Sequence, residues 1–144
     1  MPKIEVSTII KSSAAEVYKT IKNMESFPDF MRDVKSLKII KNLPQGNITS
    51  WEIEIEGAPL KWKEEDIFDD ERLELNFNAI EGDYKEYRGK WSVVLLRNSA
   101  KVSIEAEFDW GIPILEKYVG KTLVKRARLS LLGMLLAIKN RLEK

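Results

Sequence analysis

Over Lys3–Ile10 apolar and polar residues alternate, with Ile4, Val6, Thr8 and Ile10 on one side and Lys3, Glu5 and Ser7 on the other. A period of two predicts a half-buried strand. Ser13-Ala14-Ala15-Glu16 follows as a capping box, in which the Ser13 hydroxyl accepts from the Glu16 amide and Glu16 reaches back. A helix starts there with Val17, Tyr18 and Ile21 as its apolar side. It gives out before Phe27-Pro28-Asp29-Phe30-Met31, where proline permits only the start of a second short turn of helix. Residues 34–43 are apolar-rich but alternate imperfectly, as an edge strand does, and Pro44-Gln45-Gly46-Asn47 supplies a turn. Residues 48–56 alternate most cleanly, Trp51, Ile53 and Ile55 against Glu52, Glu54 and Glu56, until Gly57-Ala58-Pro59 breaks the run. Four more strands are predicted at 60–68, 72–80, 84–96 and 100–110, with Asp69-Asp70, Gly82-Asp83 and Asn98-Ser99 between them. Gly111-Ile112-Pro113 ends the sheet. Over 115–142 the spacing becomes helical, placing Val119, Leu123, Ala127, Ser130/Leu131, Met134/Leu135, Ile138 and Leu142 on one broad face.

Seven antiparallel strands at about 4.8 Å spacing make a sheet over about 30 Å wide, whereas a helix with its side chains covers only about 10 Å. The expected architecture is therefore α+β: a curved seven-stranded antiparallel sheet wrapped around the long C-terminal helix, with two short helices after strand one. Concave apolar surface is left over. Large side chains must fill it or a pocket must occupy it, and Trp51, Trp62, Phe77, Trp91, Phe108 and Trp110 at inward positions suit either outcome.

Polar residues interrupt that apolar face. The side of strand 60–68 that carries Leu60, Trp62 and Phe68 also carries Glu64 and Asp66. On 84–96 the face of Trp91, Val93 and Leu95 runs back through Gly89 to Tyr87 and Lys85, unless a bulge at Gly89 flips the register. Inward carboxylates need a cation, a hydroxyl or water. Either Glu64 and Asp66 lie near strand ends and pair with Lys85, Arg88 or Lys90, or they face a wet, partly polar cavity.

Composition narrows the chemistry. The 144 residues carry 24 basic and 23 acidic side chains with 44% apolar content, the profile of one folded domain spanning 1–144. Neither Cys nor His occurs. Thiol nucleophiles, disulfides, zinc and haem sites and imidazole bases drop out, so no metal site and no cofactor are expected, and carboxylate, lysine, tyrosine and hydroxyl chemistry remain. The N-terminus lacks the uninterrupted apolar core of a secretory signal, and no run reaches the roughly 18 apolar residues of a membrane span. A soluble, cytoplasmic protein is expected. A net charge of +1 gives no footprint for DNA. Lys117, Lys121, Lys125, Arg126 and Arg128 nevertheless cluster near the start of the long helix, followed by Lys139 and Arg141. A solvated outer face accounts for such a cluster, while cations that oppose the helix dipole point to an anionic partner such as a lipid head group or RNA phosphate.

With this layout, the segments Ser13-Ala14-Ala15-Glu16-Val17-Tyr18, Phe27-Pro28-Asp29-Phe30-Met31, Trp62-Lys63-Glu64-Glu65-Asp66, Tyr87-Arg88-Gly89-Lys90-Trp91 and Phe108-Asp109-Trp110-Gly111-Ile112-Pro113 resemble, in order and spacing, the polyketide cyclase/dehydrase and coenzyme Q-binding family of START-like domains. The resemblance covers nearly the whole chain. It implies a helix-grip fold, shared with the birch-pollen-allergen superfamily, whose sheet and C-terminal helix enclose a pocket for lipids, quinones or polycyclic compounds. Arg32 stands where that family often has proline.

Three functions compete. The first is binding or transport of a hydrophobic or amphipathic small molecule, with Phe27, Phe30, Met31, Trp51, Ile53, Trp62, Glu64, Asp66, Phe77, Tyr87, Trp91, Phe108, Trp110, Leu123 and Ala127 around it and with residues 27–31 and 110–115 as its mouth or as plain end-capping of the core. The second is a polyketide aromatase/cyclase, with Glu64, Asp66, Tyr87 and Arg88 as candidate acid/base groups. The third is a ribosome- or RNA-associated interaction protein that uses the basic cluster.

Overall fold

The computed structural model describes residues 2–55, 57–111 and 113–144, with side chains described outside 113–121. The elements run β1 Lys3–Ile10, α1 Ala14–Lys22, a 3-10 helix Met24–Asp29, β2 Val34–Leu43, β3 Gly46–Ile55, β4 Ala58–Asp69, β5 Glu74–Gly82, β6 Glu86–Leu95, β7 Ala100–Asp109 and α2 Pro113–Leu142. Ser13 Oγ accepts from the Glu16 amide at 3.1 Å, so the expected cap starts α1. Pro28 lies inside the 3-10 helix, near its end. No helix among the described residues is long and apolar enough to cross a membrane.

All seven strands form one antiparallel sheet in the order β1-β7-β6-β5-β4-β3-β2. Strands consecutive in sequence are neighbours except for β1, which pairs with β7 and so leaves β1 and β2 as the two edges. Gly89 stays in register, opposite Phe77 on β5 and Ala106 on β7, so it is not a bulge. Its work is steric: a Cβ there would collide with the Glu105 carbonyl and stand 2.8 Å from the Phe77 ring. The bulges fall elsewhere. Ile80 is the extra residue between the Lys63–Glu81 and Glu64–Ala79 pairs, and β2 slips once after Val34 and once after Ile39.

The inner face of the sheet follows the expected alternation through Trp51, Ile53, Trp62, Phe77, Trp91, Val93 and Phe108, all buried. Two residues depart from it. Leu95, at the hairpin end of β6, is 74% exposed, and Lys85 precedes the strand and is exposed. Helix α2 turns Ser130, Leu131, Met134, Leu135 and Ile138 inward, the three-and-four spacing anticipated, while Leu123, Ala127 and Leu142 are half-buried and Val119 lies outside the described side chains.

The helix runs along β1. Arg128 Nη1 donates to the Glu5 carbonyl at 3.2 Å, and Lys139 Nζ donates to the Ile9 carbonyl at 2.8 Å and to Glu143 at 2.7 Å. Tyr18 Oη has Asp70 at 2.9 Å and the Glu74 carbonyl at 3.1 Å as acceptors for its one proton, which ties α1 to the β4–β5 turn.

Candidate functional site

The concave face is walled by rings. Trp51 and Trp62 are direct cross-strand partners and stack at 5.3 Å with an interplanar angle of 13°. Trp62 presents its edge to Tyr84 and Tyr87, each 5.4 Å away, and those two tyrosines stack on one another at 4.5 Å. Trp110 lies on Tyr84 at 5.7 Å, and Phe77 tilts against Tyr87 at 5.0 Å. Phe27, fully buried, meets Trp51 and Trp91 at 6.0 and 5.9 Å. Such offset and edge-on contacts suit aromatic quadrupoles and fill much of the surplus concavity.

Two carboxylates lie within this wall. Glu64 and Asp66, two positions apart on β4 and therefore on one face, are 2% and 0% exposed. Trp62 Nε1 donates to Glu64 Oε1 at 2.7 Å. Thr49 Oγ1, on β3, donates to Asp66 Oδ2 at 2.6 Å and accepts from Trp51 Nε1 at 2.9 Å. Burial first, then the neighbouring Asp66 charge, holds the Glu64 carboxyl well above the usual carboxylate range. Burial also raises Asp66, against the pull of hydrogen bonds from Glu64 and Thr49. Glu64, the more strongly raised of the two, is the one that favours its protonated form. Asp66 Oδ1 finds no donor among the described residues, nor does Oδ1 of buried Asn47, its partner across β3 and β4.

The lysines and arginine considered as partners go elsewhere. Lys90 bonds Glu74 at 3.1 Å, Arg88 bonds Glu107 at 3.4 Å, and Lys85 is exposed. Because Arg88 points to the outer side of β6, it drops out of the acid/base candidates. Glu64 and Asp66 sit in mid-strand rather than near strand ends, which overturns the ion-pair reading. Tyr87 stays with them, its phenol pushed up by burial and then by Tyr84, Glu64 and Asp66.

Between this wall and α2 lies a small cavity. Five expected residues line it, Ile53, Trp62, Tyr87, Phe108 and Ala127. Among the described residues, Ile4, Ile55 and Tyr84 from the sheet side and Ser130, Leu131 and Met134 from the helix also line it. The space open to the centre of a water molecule is about 20 Å³, room for one water. Trp51, Phe77, Trp91, Glu64 and Asp66 form or underlie the wall without lining the cavity. Phe27, in the 3-10 helix, and Met31, two residues after its end, are buried core residues rather than an exposed mouth. Phe30 is half-buried under the Arg141 guanidinium at 4.4 Å, Trp110 is half-buried on Tyr84, and Leu123 is half-buried off the cavity. Residues 112–115 of the supposed mouth lie outside the described side chains.

Tyr84 was missed because alternation over the expected strand 84–96 put it on the face opposite Tyr87 and Trp91, whereas it lies in the turn before β6 and is buried. Of the basic cluster, Lys117 and Lys121 lie outside the described side chains, Lys125 and Arg126 are exposed, and Arg128 is engaged by the Glu5 carbonyl.

A family model described as polyketide cyclase/dehydrase and lipid transport matches residues 10–131. Major latex protein 22 of Papaver somniferum is 28% identical over 92 residues, 59% of this chain and 58% of that protein, so the match spans less than two thirds of its length. Among solved structures, TTHA0849 from Thermus thermophilus superposes with a TM-score of 0.93 at 23% identity, over 99% of this chain and 97% of that one. The Zhui aromatase/cyclase from Streptomyces sp. R1128 superposes with a TM-score of 0.89 at 12% identity, over 99% and 93%. At these identities the structural likeness is one of fold.

Proposed function

The chain belongs to the polyketide cyclase/dehydrase and lipid transport family, and from that premise we propose that it binds a hydrophobic or amphipathic small molecule between its sheet and α2. One observation carries this reading: among the described residues the space under the helix is lined by apolar and aromatic side chains, with Ser130 and the phenols of Tyr84 and Tyr87 bringing hydroxyls to it. Its two walls differ in stiffness. The sheet side is a set of interlocked rings, whereas the helix side offers Ala127, Ser130, Leu131 and the pliable thioether of Met134. A ligand larger than water is accommodated by moving the helix side. Native mass spectrometry of the purified protein, organic extraction, and titration with quinones, fatty acids and polycyclic dyes test this. One ligand per chain is expected, and Ala127→Phe, which fills the space, removes it. Empty extracts together with no binding across that panel defeat the proposal.

The aromatase/cyclase reading is favoured by one separate observation, two carboxyls buried on one face of β4 with no lysine or arginine bonded to them among the described residues. An enclosed donor and acceptor can promote enolisation and dehydration. The pair, however, does not line the cavity, whereas Trp62, which bonds Glu64, does, and this supports holding a ligand over converting it. Full turnover of a polyketide substrate in Glu64→Gln/Tyr87→Phe removes these residues as its acid and base.

A further inference from the structure

Both stacked indoles are tied to the carboxylate pair by their own N–H groups. Trp62 reaches Glu64 directly at 2.7 Å, and Trp51 reaches Asp66 through the Thr49 hydroxyl, in steps of 2.9 and 2.6 Å. Trp62 in turn is a wall of the cavity and holds Tyr84 and Tyr87 edge-on. Any change at the pair is thus transmitted to the cavity wall through one hydrogen bond and one ring. We propose that Glu64 and Asp66 form a proton-controlled latch, which keeps the Trp51–Trp62 layer closed while the two carboxylates share a proton and releases it when that proton is lost.

The physical basis is the lack of compensation. Around the pair, β3 contributes Thr49 and Asn47, and β5 contributes Phe77 and Ala79 opposite Asp66 and Glu64. From β6 comes Tyr87, and from the β5–β6 turn Tyr84, both phenols kept un-ionised by burial. Glu65, on the other side of β4, adds only repulsion to Asp66. No lysine or arginine among the described residues bonds either carboxylate. With one proton present the pair is a neutral acid hydrogen-bonded to an anion. Without it, two like charges two residues apart remain in a space that water does not reach, and such an arrangement lowers its free energy by admitting water. The route for water is separation of the indoles. Opening returns the carboxyls toward their ordinary range, so the open form binds fewer protons and gains population as pH rises.

The latch governs the same cavity that we assign to the ligand, and its use rests on that assignment; its existence is read without any ligand. The wild-type protein is titrated from about pH 5 to about pH 10, following the exciton circular dichroism of the Trp51–Trp62 stack and acrylamide quenching of tryptophan emission. The couplet is expected to fade and quenching to rise together before global unfolding, with the closed-to-open ratio falling about tenfold per pH unit, as one proton requires. Glu64→Gln keeps an acceptor for Trp62 and gives Asp66 a permanent donor, and Asp66→Asn removes the second charge, so both variants stay closed throughout. Tyr84→Phe and Tyr87→Phe retain the transition. If a carboxylate variant does not fold, the ¹³C carboxyl shift of Glu64 in the wild type must move in step with the tryptophan signals. A wild-type couplet unchanged up to global unfolding, or a transition that persists in Glu64→Gln and Asp66→Asn, overturns the proposal.

Discussion

Ser130 Oγ on α2 donates a 2.9 Å hydrogen bond to Asp33 Oδ2, and the Asp33 carbonyl accepts from the Glu54 amide at 2.8 Å, so the cavity-lining turn of the helix is moored to β3 through one aspartate. Replacing Ser130 with alanine removes this mooring without removing packing. Asp33 remains partly solvated beside Arg32, so the expected loss is about 1 kcal/mol in urea unfolding. Amide exchange in α2 near residue 130 should quicken by more than the global change accounts for.

The carboxylate pair sets the sign of a pH effect on stability. Both Glu64 and Asp66 are raised in the folded state, so their contribution is complete below the ordinary carboxylate range and is lost as pH rises toward their folded-state values. Asp70 and Glu143 are lowered by bonds from Lys22 and Lys139 respectively and act in the opposite direction, their contribution being lost as pH falls. The difference between wild type and Glu64→Gln isolates the pair. Across that window urea midpoints should show the wild type losing up to about 1.4 kcal/mol per pH unit relative to the variant.

Gly89 and Gly133 make a matched pair of substitutions. A methyl on Gly89 meets the Glu105 carbonyl, which belongs to the backbone and cannot step aside, so Gly89→Ala should cost at least about 2 kcal/mol or prevent folding. A methyl on Gly133 meets nothing within 4 Å, and in mid-helix Gly133→Ala should add about 0.5–1 kcal/mol. Thermal melts of both variants decide the matter.

Phe27 separates a core residue from a gate. With no exposed surface and ring contacts to Phe30, Trp51 and Trp91, its truncation to alanine should destabilise by about 3–5 kcal/mol. A gate residue would instead alter ligand exchange at nearly constant stability.

What the residue pattern disclosed depended on the range over which each feature is determined. The inward position of Glu64 and Asp66 was readable because they share a period of two with Trp62, and the buried helix face because 131, 134, 135 and 138 keep a period near 3.6. Tyr84 escaped because it sits at a turn, where neither period applies, and the same lack of a period in the 3-10 helix left Phe27 open between a mouth and end-capping of the core. Arg128 looked like one of a run of surface cations, and its partner at Glu5 lies 123 residues away. Cavity size was beyond reach for a different reason. Width arithmetic gives the area to be covered, whereas the rotamers of six or more rings decide how much volume stays open.

An open sheet has two unsatisfied margins, and here they are closed by different means. On β1 the Arg128 guanidinium and the Lys139 ammonium occupy the carbonyls of Glu5 and Ile9, acceptors that an incoming strand would need. On β2 the register slips after Val34 and again after Ile39, so its outer ladder is never continuous for more than a few residues. Both margins are therefore poorer templates for an incoming strand than a bare, regular edge would be, and on β1 two of the helix cations are taken up by the protein's own backbone.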